Sequence, residues 1–197
     1  MSKQSYHLQI RKFLERAIKT TDEEWNVLSS RLVCSEFDKG DIITASGDIE
    51  NYMSFIVEGA IRVFYETKDN EYTIEFRTPI TPVSSYASFI SRMPSMVNIE
   101  AITPCKLYRL SYEDMQYIYE NTDAGEKVGR KMIEMAYVQR EMKEIKLNTV
   151  SAECFYLDLM KDNPELFKSI PQKYLASYLG IAPESLSRIR NSISNGK

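Results

Sequence analysis

Residues 33–110 form a succession of short apolar segments separated by turn-forming residues, and this pattern constrains the fold more than any other feature. The segments are rich in Val, Ile, Tyr, Phe and Thr, which favour strands, and turn residues such as those of Asp38–Asp41 and Ser46–Asp48 lie between them. Closely spaced short strands of this kind are typical of a β-sandwich or barrel. The predicted strands are Cys34–Phe37, Ile42–Ala45, Met53–Val57, Ala60–Tyr65, Tyr72–Phe76, Val97–Ala101 and Lys106–Leu110.

Helical patterns precede and interrupt this β-rich region. Residues 5–18 carry apolar side chains at helical spacing, which predicts an amphipathic helix. Thr21 and Glu24 have the spacing of a capping box, so a second helix is predicted to begin there. Ser88–Ile90 predicts a short helical turn between two strands.

Helices are also predicted after the last strand. Ser111 is a suitable cap for the first of them, and a long helix is expected from about 124 to 147. A further helix is predicted over 151–161, ended by Asn163 and Pro164.

The long helix carries apolar residues at alternating spacings of four and three, which is the heptad pattern of a two-stranded coiled coil. The rest of its surface is heavily charged. This favours a seam between two chains over the alternative, in which the helix packs only on its own domain. The predicted seam consists of Val128, Met132, Met135, Gln139 and Met142.

The segment Ile170–Asn191 has apolar residues at helical spacing on both sides of a break at Gly180, and Pro183 suits the first position of a new helix. Two short helices joined by a tight turn form the helix-turn-helix pattern, whose polar side chains can contact base edges and phosphates. A helical hairpin without a role in DNA binding is the alternative. The candidate DNA-binding residues are Lys173, Glu184, Ser185, Ser187, Arg188, Arg190 and Asn191.

Charge is distributed unevenly along the chain. Residues 168–197 contain five Lys and Arg residues and one acid, a net charge of +4, whereas the whole chain has a net charge of −3 and residues 1–167 therefore carry −7. A basic end on an acidic body is the electrostatic pattern expected for contact with a polyanion at that end alone.

The composition argues against other classes of protein. The 43% hydrophobic and 27% charged fractions are typical of a soluble globular chain, and the charged N-terminal segment lacks the apolar core of a secretion signal, so we expect a cytoplasmic protein without a membrane span. Cys34, Cys105 and Cys154 are far apart and His7 is the only histidine, which predicts no metal site. We expect no enzyme, because a nucleophile would have no histidine partner except His7 and no phosphate-binding loop is present.

In this order, the segments resemble the Crp/Fnr family, the bacterial transcription regulators related to the cyclic-AMP receptor protein. The glycine turns of residues 37–48 and 52–63 are similar to the opening turns and central hairpin of the family's β-roll, and Pro183–Arg188 is similar to the start of its recognition helix. The resemblance implies a homodimer on palindromic DNA, with RNA polymerase as a further possible partner. It also implies that Arg188 contacts guanine, Glu184 contacts cytosine and Ser185 contacts phosphate.

The sequence departs from the family in the phosphate cassette. Cyclic-nucleotide-binding members carry Gly-Glu and, about ten residues later, an Arg that neutralises the phosphate. Ser84 and Ser85 stand in place of Gly-Glu, Ser95 stands in place of the Arg, and Arg92 comes three residues earlier. Because a buried phosphate without a cation is unfavourable, we expect no binding of cyclic AMP in the usual manner and no cofactor, with a different small effector as the alternative.

Together these patterns predict an α+β fold with an N-terminal double-stranded, jelly-roll-like β-roll as a sensor domain (1–123), a dimerisation helix (124–148) and a helix-turn-helix domain (149–197). Only seven residues follow Arg190, so we expect no β-wing and weaker DNA binding. The alternative is a ligand-binding or protein-interaction module with a degenerate, wingless helix-turn-helix. The candidate effector pocket consists of Tyr65, Phe76, Ser84, Ser85, Tyr86, Phe89, Arg92 and Ser95.

Overall fold

The computed structural model of the protein describes residues 2–162, 164 and 170–195. Within these ranges the chain forms two antiparallel four-stranded sheets, with helices before, between and after the strands. Asn163, which we predicted to end a helix, lies outside the described residues, as do Lys168 and Lys197 of the basic end.

The strands follow the predicted pattern and form a double-stranded β-roll. One sheet has the order β1-β8-β3-β6 and the other has the order β2-β7-β4-β5. The additional strand β6 was not predicted, because a strand of two residues that begins with a proline has no measurable alternation. The strands are β1 (Val33–Phe37), β2 (Ile42–Thr44), β3 (Tyr52–Glu58), β4 (Ile61–Glu66), β5 (Glu71–Arg77), β6 (Pro82–Val83), β7 (Asn98–Ala101) and β8 (Cys105–Ser111).

The helices begin where the capping residues predicted them. Thr21 and Glu24 form a complete capping box, and the Ser111 side chain accepts from the Asp114 amide. The first helix ends at Leu14, four residues before the predicted end, and Ile18 nevertheless packs on the core. The helices are α1 (Lys3–Leu14), α2 (Asp22–Ser29), α3 (Tyr86–Ser91), α4 (Tyr112–Asn121), α5 (Gly125–Thr149), α6 (Ala152–Asp162), α7 (Gln172–Tyr178) and α8 (Pro183–Asn195).

Alternating side chains of β3 pack into two different hydrophobic cores. Ile56 points between the two sheets and packs with Leu107 and Ile99. Its neighbours Phe55 and Val57 point to the other face and pack against the helices that include α1. Because successive strand residues face opposite sides, a nearly continuous apolar strand can hold helices on one face and a second sheet on the other.

The β3–β4 hairpin requires the glycine at its turn. Gly59 has φ +89°, and a Cβ atom there would lie 2.3 Å from the carbonyl oxygen of Pro104. The two sheets, the long α5 and the C-terminal helices confirm the predicted α+β fold class with its β-roll.

Candidate nucleic-acid interface

The C-terminal helices α7 and α8 are joined by a tight turn. The hydrogen bonds of this turn explain why it contains a glycine. Gly180 has φ +70°. Its amide donates to Ser177 O at 3.1 Å, and the Ile181 amide donates to Ala176 O at 3.0 Å. These bonds form a Schellman motif, which satisfies the last carbonyls of α7 and needs a left-handed residue at that point. Pro183 then occupies the first helical position of α8, as predicted.

The inner faces of the pair form a small apolar core. Leu175, Ala176 and Leu179 of the first helix and its turn are buried, and Leu186 of the second helix is fully buried. Phe155 of α6 belongs to the same cluster. The positions predicted to be apolar from helical spacing therefore hold the two helices together, and the opposite side of α8 is left open.

The predicted DNA-binding residues are exposed with one exception, and all of them except Lys173 of α7 lie on α8. Ser185 is half-buried and accepts from Arg188 Nη2 at 3.2 Å. Among the described residues, no carboxylate forms an ion pair with the cationic members of this set. The exposed members are Lys173, Glu184, Ser187, Arg188, Arg190 and Asn191.

The first helix of the pair packs on the free edge of strand β5. The hydroxyl of Ser177 accepts from the Thr73 amide at 2.8 Å and donates to the Glu71 carbonyl oxygen at 3.1 Å. One side chain thus satisfies two backbone groups that the outermost strand of its sheet would otherwise expose. This contact could not be predicted from sequence, because the residues are more than one hundred positions apart.

Arg62 of β4 lies at the same junction and was also missed by sequence analysis. Its side chain is buried and pairs with Glu71 at 2.7 Å and with Glu100 at 2.6 Å. The guanidinium carbon lies 3.8 Å from the centre of the Phe64 ring and 3.5 Å from that of Tyr174, which belongs to α7. The only sequence signal was an arginine inside an otherwise apolar strand, Ile61–Tyr65.

Lys143 connects the long helix to the same junction. Its ammonium group donates to the carbonyl oxygen of Ile74 and lies 3.9 Å from the centre of the Tyr178 ring. Burial lowers the pKa of Lys143 to about 8, against the attraction of Glu75. Burial also raises the pKa of Tyr178 to about 12. Helices α5 and α7 and strand β5 therefore meet around one partly buried amine.

The predicted cassette residues form a hydrogen-bonded cluster. The Ser95 hydroxyl lies 2.8 Å from the hydroxyl of Ser85 and accepts from the Val97 amide at 3.1 Å. The Ser85 amide donates to the buried carboxylate of Glu50 at 3.3 Å. The Ser84 hydroxyl is buried without a partner in the described part of the chain. Ser85 and Ser95, which we predicted to stand in place of the family's Glu and Arg, therefore bond to each other through their hydroxyls.

The remaining predicted pocket residues are divided between separate places. Arg92 donates to Glu50 O at 2.7 Å and does not point to a free anion site. Phe89 is fully buried against Tyr112, with ring centres 5.4 Å apart. Tyr86 and Tyr65 are largely exposed.

Phe76, which we also assigned to the pocket, packs on Tyr178 with ring centres 5.3 Å apart. It therefore belongs to the contact with the helix pair. Among the described residues, no group of three or more potential ligands could hold a metal ion, and no helix is both long and apolar enough to cross a membrane.

Comparisons with known proteins agree with this architecture. Residues 34–122 match the family model of the cyclic nucleotide-binding domain. No curated protein sequence matches the chain significantly. The fold of the protein is a Crp/Fnr-like cyclic nucleotide-binding fold.

Three solved structures illustrate the similarity. The c-di-GMP-responsive global regulator CLP of Xanthomonas campestris is 15% identical, with 88% of this chain and 92% of that chain covered and a TM-score of 0.66. FixK2 from Bradyrhizobium japonicum is 16% identical, with 84% and 85% covered and a TM-score of 0.68. The catabolite activator protein of Thermus thermophilus is 17% identical, with 93% and 87% covered and a TM-score of 0.57.

Proposed function

We propose that the protein is a homodimeric, sequence-specific DNA-binding regulator of transcription. The observation that carries the proposal is the orientation of α8. Leu186 is fully buried, and Arg188, Glu184 and Asn191 are exposed on the side that faces away from the protein. The similar structures of known regulators support the same conclusion.

Each exposed side chain has a distinct role. Arg188 contacts a guanine edge with its two-pronged guanidinium, and Glu184 accepts from a cytosine amino group. Ser185, Ser187, Arg190 and Lys173 position the helix on phosphates, and Asn191 is a further residue that contacts DNA. A base-contacting arginine of this kind contributes about 1–3 kcal/mol of discrimination, whereas a phosphate-contacting lysine contributes equally on all sequences.

The long helix α5 supplies the dimer contact. Val128 and Met132 pack on the core of their own roll, whereas Met135, Gln139 and Met142 are exposed. Val138 and Ile145 are also exposed, at 55% and 48%, and extend the apolar stripe. The first part of the helix therefore anchors it to the roll, and the second part is available to a second copy.

Two such copies place their α8 helices about 34 Å apart, in successive major grooves, so the target is a palindrome. The division of the chain into a sensor roll, a dimer helix and a DNA-binding unit belongs to the same proposal. Contact with RNA polymerase stays a prediction from the family resemblance.

The effector of this regulator is not cyclic AMP bound in the usual manner. The pair Ser85–Ser95 offers no charge to a phosphate, and the nearby Glu50 carboxylate is buried at 3% exposure and would repel one. Calorimetric titration with cyclic AMP tests this statement directly. Micromolar binding would contradict it.

The experiment that tests DNA binding is enrichment of random duplex DNA by the purified protein, with Arg188→Ala and Lys173→Ala in parallel. We expect the wild type to enrich a palindrome. Arg188→Ala should lose about tenfold or more of the preference for that site over random DNA, and Lys173→Ala should keep the preference while binding all DNA more weakly.

Equal losses from both substitutions, on the palindrome and on random DNA, would contradict the assigned roles. Enrichment of no sequence would favour the alternative of a ligand-binding or protein-interaction module. Binding whose strength did not depend on salt would favour that alternative as well, because phosphate contacts release counterions.

A further inference from the structure

Lys143 of α5 is a partly buried amine that forms no ion pair among the described residues. Its ammonium group donates to the backbone carbonyl oxygen of Ile74 and lies 3.9 Å from the centre of the Tyr178 ring. Neither of these two partners carries a full negative charge. Partial removal from water without a paired acid favours the neutral form of an amine.

The charged groups that act on this amine are mostly cations. Arg77 of β5 and Arg140 of α5 repel the ammonium, and Glu75 attracts it. The carboxylate of Glu75 also pairs with Arg77 at 2.7 Å, so it is shared between two cations. With the lysine protonated, three cations and one acid give the group a net charge of +2. A negative charge on Lys143 would cancel this excess.

A large share of the amine is uncharged near neutral pH. With a pKa of about 8, roughly one quarter of Lys143 is neutral at pH 7.5, against about one in a thousand for a lysine with the ordinary pKa of 10.5. A neutral amine is a nucleophile, whereas an ammonium is not. Because the side chain is only partly buried, a small electrophile can reach it from solvent.

We propose that Lys143 is a site of reversible carbamylation by dissolved carbon dioxide. The nitrogen lone pair forms a bond to the carbon of CO2, one C–O π bond becomes a lone pair of the new carboxylate, and the nitrogen loses one proton to water. The product carries a charge of −1 beside Arg77 and Arg140, so the net charge of the group falls to zero. Guanidinium groups are favourable partners for a carboxylate of this kind.

The modified nitrogen keeps part of its present contacts. It retains one N–H, which can still donate to the carbonyl oxygen of Ile74 in β5. The loss of the positive charge removes the attraction to the ring of Tyr178, the last residue of α7. Carbamylation therefore weakens the contact between α5 and α7 and leaves that between α5 and β5 in place. The reaction itself does not depend on DNA binding.

The test traps carbamates on the full chain with triethyloxonium at pH 7.5 in 13C-labelled bicarbonate and locates them by peptide mass spectrometry. We expect at least about tenfold more label on Lys143 than on Lys146 or Lys127 of the same helix. Lys146 pairs with Asp158 at 2.7 Å, so a carbamate there would meet an acid, and Lys127 is exposed. At equal dissolved CO2, label on Lys143 should increase between pH 7 and pH 8.5, because more of the amine is neutral.

Three variants test the assignment. Lys143→Arg keeps the positive charge and removes the nucleophile, so its 13C spectrum should lack the Lys143 carbamate signal and keep any signal of the terminal amine. Arg140→Gln, at an exposed position, should lower the label on Lys143 about threefold, because one stabilising cation is lost. Arg130→Gln is the matched control and should label as the wild type does, because Arg130 is exposed on the same helix but pairs with Glu134 at 2.6 Å.

Three results would overturn the proposal. The first is a wild type with no trapped carbamate on Lys143. The second is label spread equally over Lys143, Lys146 and Lys127. The third is a carbamate signal in Lys143→Arg as strong as that of the wild type.

Discussion

The guanidinium of Arg62 and the ring of Tyr174 stack at 3.5 Å, which joins the β-roll to the first helix of the α7–α8 pair. Arg62 also pairs with Glu71 and Glu100, so the cation is held from the side of the roll and the ring covers it from the side of the helix. A change in the roll can thereby reach the helix pair through a contact between two packed elements.

Replacing Tyr174 by alanine should loosen the helix pair without unfolding the roll. The variant removes the ring and keeps both ion pairs of Arg62, and loss of a half-buried aromatic contact costs about 2 kcal/mol. We expect amide hydrogen exchange in α7 to become about 30-fold faster, with β3 and β8 unchanged. Gln172→Ala, at an exposed position of the same helix, is the control. Equal acceleration in α7 and β8 would mean that the whole fold had been destabilised.

The partly buried amine of Lys143 should make stability depend on pH. The pKa of Lys143 is about 8 in the folded state and about 10.5 when it is solvated, so above pH 8 the unfolded chain binds more protons than the folded chain. The contribution of Lys143 to the free energy of unfolding is therefore lowest below pH 8 and rises towards pH 10. The groups facing the amine are Glu75, Arg77, Arg140 and Tyr178.

Comparison with Lys143→Met isolates this effect. The free energy of unfolding of the wild type, minus that of the variant, should rise by roughly 1–2 kcal/mol between pH 7 and pH 9.5. Lys127→Met, at an exposed position of the same helix, controls for loss of a lysine. A flat difference for Lys143→Met in urea titrations would show that the amine is solvated.

Replacing Gly59 by alanine should destabilise the protein far more than replacing Gly40 by alanine. Both residues have positive φ, but only Gly59 has backbone within contact range, with Pro104 O at 2.3 Å from the added atom. We expect Gly59→Ala to lower the free energy of unfolding by roughly 3 kcal/mol or more and Gly40→Ala by about 1 kcal/mol. Urea unfolding of the two variants measures the difference. Equal effects would indicate that the hairpin shifts to accommodate the methyl group.

A charge on the exposed stripe of α5 should separate the dimer. Val138→Glu and Met142→Glu each place a carboxylate where two copies of the helix meet, and the desolvation of unpaired acids opposes association. Sedimentation should show dimers for the wild type and monomers for both variants. Tyr137→Glu introduces the same charge at an exposed residue on the opposite side of the helix and should remain dimeric. A dimeric Met142→Glu protein would place the interface elsewhere.

Sequence patterns predicted the parts of the fold that depend on local chemistry. The capping box at Thr21, the tight turns at Gly59 and Gly180, and the apolar run of β3 are each encoded within a few residues. The partners of Arg62 could not be predicted, because Glu100 is 38 residues away and reaches Arg62 only through the pairing of β4 with β7.

The candidate sites could likewise be predicted only where they depend on neighbouring residues in the sequence. The exposed face of α8 follows from helical periodicity. In contrast, Phe76 has an apolar pattern that fits a pocket equally well, and only the folded chain places it against Tyr178.

The hydroxyl of Ser177 has a consequence for the behaviour of the protein in solution. While α7 remains in place, the outermost strand of the sheet offers no free amide at Thr73 to another polypeptide. If α7 moved away, that edge would become a template on which a second chain could add a strand. A movement of α7 and α8 away from the roll would therefore carry a risk of aggregation, and the contact that joins the helix pair to the roll also protects the protein from self-assembly into sheets.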